Sequence, residues 1–476
     1  MAFTDIFFLM RFLPIFLIVY YVAPNKYRDA ILFIGSLLFY GYGNHRMVFL
    51  LLGLTIVNHF LGRALVKPRG ITIIENGGGV GYEKVSILPA DRGKDTSARR
   101  KVLLILAIVL DAGILTFFKV RALRVAGAGL PLGLSFYIFK MISYQADLYT
   151  GKTRVPPTFF RTAAYFTMFP QIAEGPIMRY SEGGFDDLRE RKYSFSNFER
   201  GVEQAAAGLA MKVLLADRIG ILWNEISKIG YESISAPLAW MGAFAYTFQL
   251  YFDFWGYSLI ASGVGMMLGF PEIINFNHPY AAKSIGDFYR RWHASLGTWF
   301  RDYIYIPMGG SRTATWKIIR NLLVVWAITG LWHGGTVNFL IWGLVLGLII
   351  ILEKFVFRKG MRKFPLWGHL HVWILIPLTW VVFAISDLKQ LAMYFARLFP
   401  FFHRGKTLDP MDWAVYLKQY WPFFAVGIVL CIPAVSRWLR AHRKNPIVVI
   451  AALALFWISI YFTVTSQGNT FMYFSF

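Results

Sequence analysis

Apolar runs long enough to cross a lipid bilayer recur along almost the whole chain, and this constrains the fold more than any motif. A crossing needs about 20 predominantly apolar residues, within a range of about 17–25. Runs that reach or approach that length lie at 6 to 22, 30 to 43, 47 to 65, 102 to 118, 131 to 149, 204 to 223, 237 to 269, 320 to 351, 372 to 396, 421 to 435 and 446 to 464. Lipid offers the backbone no hydrogen-bond partners, so only helices and closed barrels span it, and none of these runs alternates with a period of two. The chain is therefore expected to be an all-α, polytopic integral membrane protein of about eleven helical segments, forming one domain over residues 1–476. The run 30 to 43 is short for a crossing. Those at 237 to 269 and 320 to 351 have room for a kinked span or for a span plus a re-entrant piece.

Composition supports this reading and limits the function classes. Hydrophobic residues make up 57% of the chain and charged ones 16%, whereas a soluble domain is about 25% charged. The 49 Lys and Arg against 26 Asp and Glu give a net charge of +23. In so apolar a chain that excess reads as basic loops facing the cytoplasm, and no nucleic-acid partner is expected. The basic residues cluster at 67 to 101 (Lys67, Arg69, Lys84, Arg92, Lys94, Arg99, Arg100, Lys101), at 352 to 371 (Lys354, Arg358, Lys359, Arg362, Lys363) and at 437 to 444 (Arg437, Arg440, Arg443, Lys444). All three segments are expected to be cytoplasmic, and the first, with Asn76 to Gly79, is a loop of linker composition. Counting spans from these segments places both termini outside a bacterial plasma membrane. The stretch Ile6 to Val22 lacks a basic leading region and a small-residue cleavage site, so it reads as a first span and not a signal peptide. The single cysteine, Cys431, excludes an internal disulfide framework.

Ionisable groups at membrane depth cost a few kcal/mol each and are functional candidates by default. His333 lies in Gly330-Leu331-Trp332-His333-Gly334-Gly335 within an apolar stretch. It is either a core histidine bonded to a neighbouring helix or a group that handles protons, and the glycines beside it permit close approach of a ligand or another helix. A polar insert, Asn275 to Arg312, opens a helix at Ser284 with Asp287 three residues on, as in a capping box. Projected as one helix, Ile285, Phe288, Trp292, Leu296, Trp299 and Tyr303 form an apolar stripe. Asp287, Arg290, Arg291, Arg301 and Asp302 lie opposite, and His293 sits at the stripe's edge. An amphipathic helix at the membrane interface is expected, with a structural role for His293 as the alternative. Phe169 to Pro176 reads as a re-entrant turn between two prolines. Asp253 is either catalytic or a buried carboxylate paired with an arginine, and Lys140 with Asp147, seven residues apart, reads as a structural pair bridged by an intervening group.

In this order, the pieces resemble the membrane-bound O-acyltransferase family, in its bacterial branch that acylates alginate, peptidoglycan and teichoic acid. The resemblance rests on Pro131 to Phe136, Phe169 to Tyr180, Tyr251-Phe252-Asp253-Phe254 with Gly256-Tyr257-Ser258, and Asn275 to Tyr280. It continues through Asp287 to Gly310, Leu331 to Gly334 and the terminal Phe471-Met472-Tyr473-Phe474-Ser475-Phe476. It implies a ring of tilted helices around a thin centre, where a tunnel joins a cytoplasmic acyl donor to an extracytoplasmic acceptor. It also implies that His333 is the catalytic histidine and His293 a second, supporting one. Trp332, Asp302, Asp253, Asn275, Arg290 and Arg291 are then candidates for the substrate path. Glu174, Trp255 and Lys140 depart from the family pattern, and no acid follows Ser258, so the acceptor polymer stays open.

Acyl transfer from a thioester needs a nucleophile, a base and a group that stabilises the oxyanion. His333 is the expected base, and His293 is expected to bind the thioester or the oxyanion. Tyr473, in the uncharged aromatic end of the chain, is the expected nucleophile, with an interfacial anchor as its alternative role. It would pass the acyl group to an extracytoplasmic esterase-like, SGNH-type partner enzyme, which reaches the polysaccharide in turn. No bound cofactor and no metal are expected, the donor being acetyl-CoA or an acyl-carrier thioester. Acetyl transfer is the first reading. D-alanyl transfer to teichoic acid, acylation of a lipid or protein, and a transporter without bond chemistry are the alternatives.

Overall fold

The computed structural model describes residues 1–66, 96–125, 129–152, 158–172, 175–182, 185, 191, 193–399, 401 and 407–465. Among them there are helices and turns but no strand. Tyr473, Glu174 and most of the basic segment 67 to 101 lie outside the described residues.

The first half runs through α1 (Leu13–Val22, continuing a π-turn at Phe8–Phe12), α2 (Arg28–Gly41), α3 (Met47–Leu65), α4 (Thr96–Arg124), α5 (Leu134–Thr150), α6 (Phe159–Thr167) and α7 (Phe169–Ile172). Next come α8 (Phe195–Ala210), α9 (Asp217–Ile229) and α10 (Ala236–Met267). The second half comprises α11 (Ile285–Arg291), α12 (Ala294–Phe300), α13 (Thr315–His333), α14 (Val337–Leu352) and α15 (Arg358–Lys363). It ends with α16 (Pro365–Ala384), α17 (Leu388–Leu398), α18 (Asp412–Cys431), α19 (Pro433–Ala441) and α20 (Pro446–Thr465). Six helices among the described residues are long and apolar enough to cross a membrane: Met47–Leu65, Ala98–Arg124, Val337–Met361, Pro365–Ala384, Asp412–Cys431 and Pro446–Thr465. The molecule is thus an all-α, polytopic membrane protein. Several apolar runs resolve into pairs of helices: 204 to 223 passes through a π-turn, Met211–Ala216, and 372 to 396 breaks before α17, whose N-terminus Asp387 caps by accepting from the Lys389 and Gln390 amides.

The longest element sits inside. α10 is one continuous helix of 32 residues, without the kink or re-entrant piece that the run 237 to 269 allowed. It is apolar all round because it is enclosed all round, by α8, α9, α16, α17 and α18. Two reciprocal glycine pairs bring it against α8. A Cβ at Gly208 would come within 2.4 Å of the Gly256 carbonyl oxygen, and one at Gly256 within 2.6 Å of the Gly208 oxygen. Gly201 and Gly263 repeat the arrangement at 2.5 and 2.4 Å. Small residues spaced this way let two helix backbones touch where side chains would hold them apart. The run 320 to 351 is a tight helical hairpin, α13 and α14, broken at Gly334 to Thr336. It is closed the same way, since Cβ atoms at Gly330 and Gly343 would each lie 2.4 Å from the carbonyl oxygens of Phe339 and Trp326.

Two expected ion pairs are corrected. Lys140 donates to Gln171 Oε1 at 2.8 Å, while Asp147 accepts from Tyr303 at 2.9 Å and pairs with Lys152 at 3.3 Å. Among the described residues no group bridges the two; each meets a neighbour its own helical turn faces. Asp253 is paired with a lysine where an arginine is expected: Lys212, on the π-turn, lies 2.8 Å away and also bonds Asp217.

Basic residues of the described segments make local contacts in several places. Arg100, at the start of α4, donates to the carbonyl of Leu65 at 2.9 Å and to that of Tyr149 at 2.8 Å, which joins the ends of α3 and α5. At the same end of α5, Asp147 holds Tyr303, whose π-turn Arg301–Tyr305 carries a cation into the cavity that Lys354 and Arg358 also line. Arg437 and Arg440 stand near His278 together with Arg291.

Candidate active site

The polar insert is two short helices and not one. Ser284 caps α11 by accepting from the Asp287 amide at 2.9 Å, as the sequence suggests. Asp287 does not complete a capping box; its carboxylate binds Arg290 and Arg291, both at 3.1 Å. Glu353, at the end of α14, accepts instead from the amides of Ile285 at 2.6 Å and Gly286 at 2.9 Å, and His371 Nε2 lies 3.0 Å from it. The expected continuous helix fails at Trp292 and His293, where the backbone turns extended and then left-handed, with φ of 45° at His293. A residue with a Cβ pays about 1–2 kcal/mol for that conformation. Two backbone bonds hold the break, Asn277 N to Arg291 O and Ala294 N to Asn275 O, each at 2.9 Å. The apolar stripe remains buried from Ile285 to Trp299, but in two segments, and His293 is the residue that turns between them.

That turn fixes the imidazole. Asn275 Oδ1 accepts from the Ser295 amide at 3.2 Å and from its hydroxyl at 2.8 Å, while Asn275 Nδ2 donates to Ser258 at 2.9 Å. The backbone amide of Ser295 can only donate, so this carboxamide orientation is forced and Oδ1 is an acceptor. His293 Nδ1 lies 3.1 Å from the same oxygen and must carry its proton there. The lone pair is left on Nε2, which is buried and has no hydrogen-bond partner. Phe254 of α10 packs against the ring at 4.7 Å between centroids. In this tautomer His293 accepts a hydrogen bond and offers none to an oxyanion.

His333 is the last residue of α13 and is 8% exposed. It lies in an aromatic cage with ring centroids of Trp332 at 4.6 Å, Trp342 at 5.0 Å and Phe383 at 5.2 Å. Trp332 stands between the histidines, its ring 6.4 Å from that of His293. Lys119, on α4, donates to the Trp332 carbonyl and so caps the helix end that carries His333. The glycines that follow receive a phenylalanine ring and α4. A Cβ at Gly334 would lie 2.2 Å from the ring of Phe339, and one at Gly335 2.0 Å from Leu123.

Both histidines line a single cavity of about 1200 Å³. Trp326, Trp342, Leu322 and Val325 form its apolar wall, and Lys283, Arg290, Arg301, Lys354 and Arg358 gather with Asp287 and Glu353 in its lining. Of the sequence candidates, His333, His293 and Arg290 face this space. Asn275 stands behind His293 and Trp332 beside it. Arg291 is held by Asp287, Asp302 by Arg179 and Arg301, and Asp253 by Lys212, and none of these three lines the cavity. Sequence reading passed over Trp342, Lys119 and Glu353. The last had a signal, an acid directly after sixteen residues of apolar helix. Among the described residues no group of three or more His, Cys, Asp or Glu is placed to hold a metal ion.

Comparison with known proteins identifies the family. The model of MBOAT, the membrane-bound O-acyltransferase family, matches residues 151–396, which contain both histidines, Asn275, Trp342 and Glu353. The chain is 33% identical over 422 residues to the probable alginate O-acetylase of Pseudomonas syringae pv. tomato, covering 84% of this chain and 76% of that protein. It is 26% identical to the peptidoglycan O-acetyltransferase of Helicobacter pylori, over 98% of this chain and 96% of that one. The teichoic acid D-alanyltransferase of Bacillus subtilis is 29% identical over 49% of this chain and 61% of its own. The family model covers more than half of the chain and the alginate O-acetylase relative spans most of it, so the chain belongs to the membrane-bound O-acyltransferase family.

Proposed function

We propose that this enzyme transfers an acetyl group from a cytoplasmic thioester across a bacterial plasma membrane, for O-acetylation of an exported or cell-envelope polysaccharide. The observation that carries the reading is the cavity, in which five cations share a lining with two buried histidines. Phosphate and pantetheine groups of an acetyl-CoA or carrier-bound donor suit such a lining, the cations holding phosphate oxygens while the thioester extends to His333. Acetyl is favoured over D-alanyl because the alginate O-acetylase relative matches 84% of the chain and the D-alanyltransferase 49%.

In this reading His333 takes the proton of an attacking hydroxyl as the new C–O bond forms. It returns that proton to sulfur as the C–S bond breaks, releasing a thiol. His293 accepts a hydrogen bond from the donor or the nucleophile through Nε2. Tyr473 supplies the hydroxyl at the outer end of the chain, and an esterase-like partner outside the membrane carries the acetyl ester onward to the polymer. Both termini are then extracytoplasmic, with the basic segments on the donor side.

Inside-out membrane vesicles containing the full chain test the scheme with radiolabelled acetyl-CoA or a D-alanyl carrier thioester. Label should leave acetyl-CoA in the wild type and stay on the donor in His333→Ala; transfer that persists in His333→Ala removes the catalytic assignment. Tyr473→Phe keeps the aromatic end and deletes the hydroxyl. Polymer acetylation that survives this change ends the relay.

A further inference from the structure

The tautomer of His293 leaves a gap in the chemistry. When the thioester carbonyl is attacked, its π pair moves to oxygen, and stabilising that oxyanion calls for a hydrogen-bond donor already in place. His333 is occupied with the proton in transit. His293, with Nδ1–H committed to Asn275 and a lone pair on Nε2, has no proton to offer.

Two indole N–H groups beside the histidines are buried without a hydrogen-bond partner, those of Trp332 and Trp342. Trp342 is 1% exposed, lines the cavity with both histidines, and meets His333 edge to face at 5.0 Å. Trp332 is not part of that lining, and its ring is covered by Phe136, Phe139 and Lys119. An indole N–H left unpaired in the protein interior costs free energy unless something in the site accepts from it. Trp342 is also locked: Trp326, Trp380 and Phe383 pack on its ring at 6.2, 5.8 and 5.2 Å. A donor that cannot reorient is what preorganised stabilisation of a transition state calls for.

We propose that Trp342 is a catalytic residue, its indole N–H donating to the acyl carbonyl oxygen as that oxygen becomes negative. The assignment rests on the acyl-transfer reading of this site. No proton moves along the bond; Trp342 only holds the oxyanion until the C–S bond breaks and the carbonyl re-forms.

The test measures thiol release by inside-out vesicles containing the full chain, with acetyl-CoA as donor, or a D-alanyl carrier thioester if the wild type turns over that one alone. Trp342→Phe should lower kcat on the order of a hundredfold, the loss typical of one oxyanion donor, with little change in KM. Trp457→Phe, at an exposed indole on α20 away from the cavity, should stay within about threefold of wild type. Should Trp342→Phe reduce the amount of folded protein, 3-benzothienylalanine at position 342 preserves the bicyclic shape, replaces N–H by sulfur and should show the same kcat loss. Activity within about threefold of wild type in a folded position-342 variant overturns the proposal, as does a larger loss in Trp332→Phe than in Trp342→Phe. Turnover that persists in His333→Ala is a separate failure, of the site reading itself.

Discussion

At the scale of single residues, the left-handed turn at His293 and the carboxamide of Asn275 act as one device. Asn275 receives three donors on one oxygen and gives one hydrogen bond to Ser258 of α10, so it couples the imidazole to the central helix. Asn275→Leu removes the acceptor and frees the ring to exchange tautomers. Acyl transfer should fall by tenfold or more, in line with the worth of a supporting hydrogen bond at a reacting centre. Asn275→Asp keeps an acceptor for His293 and Ser295, and the Ser258 hydroxyl can turn to donate to the second carboxylate oxygen, so it should retain more activity than Asn275→Leu. Equal activity in the two variants would show that the acceptor does not matter. The sequence marks His333 plainly, since an ionisable group flanked by apolar residues stands out. It marks Asn275 only through the family motif, because its role depends on a chain reversal eighteen residues later that no periodicity announces.

At the scale of elements, glycine decides where helices meet. Gly208 faces the Gly256 carbonyl of α10, and a methyl group there would press on backbone that cannot yield. Gly208→Ala should destabilise the fold by about 1–3 kcal/mol, the usual cost of overpacking. Gly113→Ala on α4 meets nothing within 4 Å and should be neutral or slightly stabilising through helix propensity. Thermal unfolding of detergent-solubilised protein distinguishes them, and equal midpoints would refute the close contact. The apolar runs predicted most helices because burial and bilayer both select long hydrophobic stretches. They could not separate α10, which is interior, from α20, whose apolar side chains are largely exposed, since both are apolar on every side. Nor could a helical projection foresee the break at His293. It assumes a continuous backbone, and the break is held by bonds to residues 275 and 277 outside the projected segment.

At the scale of the whole molecule, charge gathers at the cavity. Lys283, Arg290, Arg301, Lys354 and Arg358 line the cavity, and Arg100 ties the ends of α3 and α5 where Asp147 holds Tyr303 of the turn that bears Arg301. Lys354→Ala with Arg358→Ala should raise KM for an anionic donor several-fold and leave kcat nearly unchanged. The effect should shrink in high salt, which screens surface charge. A drop in kcat at constant KM would mean that these cations serve the chemistry instead of capture. Sidedness has its own check: in a Cys431→Ala background, cysteines at Lys359 and Lys444 should react with a membrane-impermeant maleimide only from the cytoplasmic face. Labelling of either from outside would reverse the orientation.

The enclosure of α10 bears on how the protein is made. Its neighbours α8 and α9 precede it, but α16, α17 and α18 follow, and α18 seats Gly427 against Phe248 where a Cβ would come within 2.9 Å of the ring. During synthesis, the helix that carries Asp253, Phe254 and Ser258 is therefore made before three of the helices that enclose it. It is sealed from lipid only when the ribosome has passed residue 431. A nascent chain stopped before that point leaves the groove around α10 unfinished, so the candidate site that packs on this helix is among the last parts of the protein to be completed.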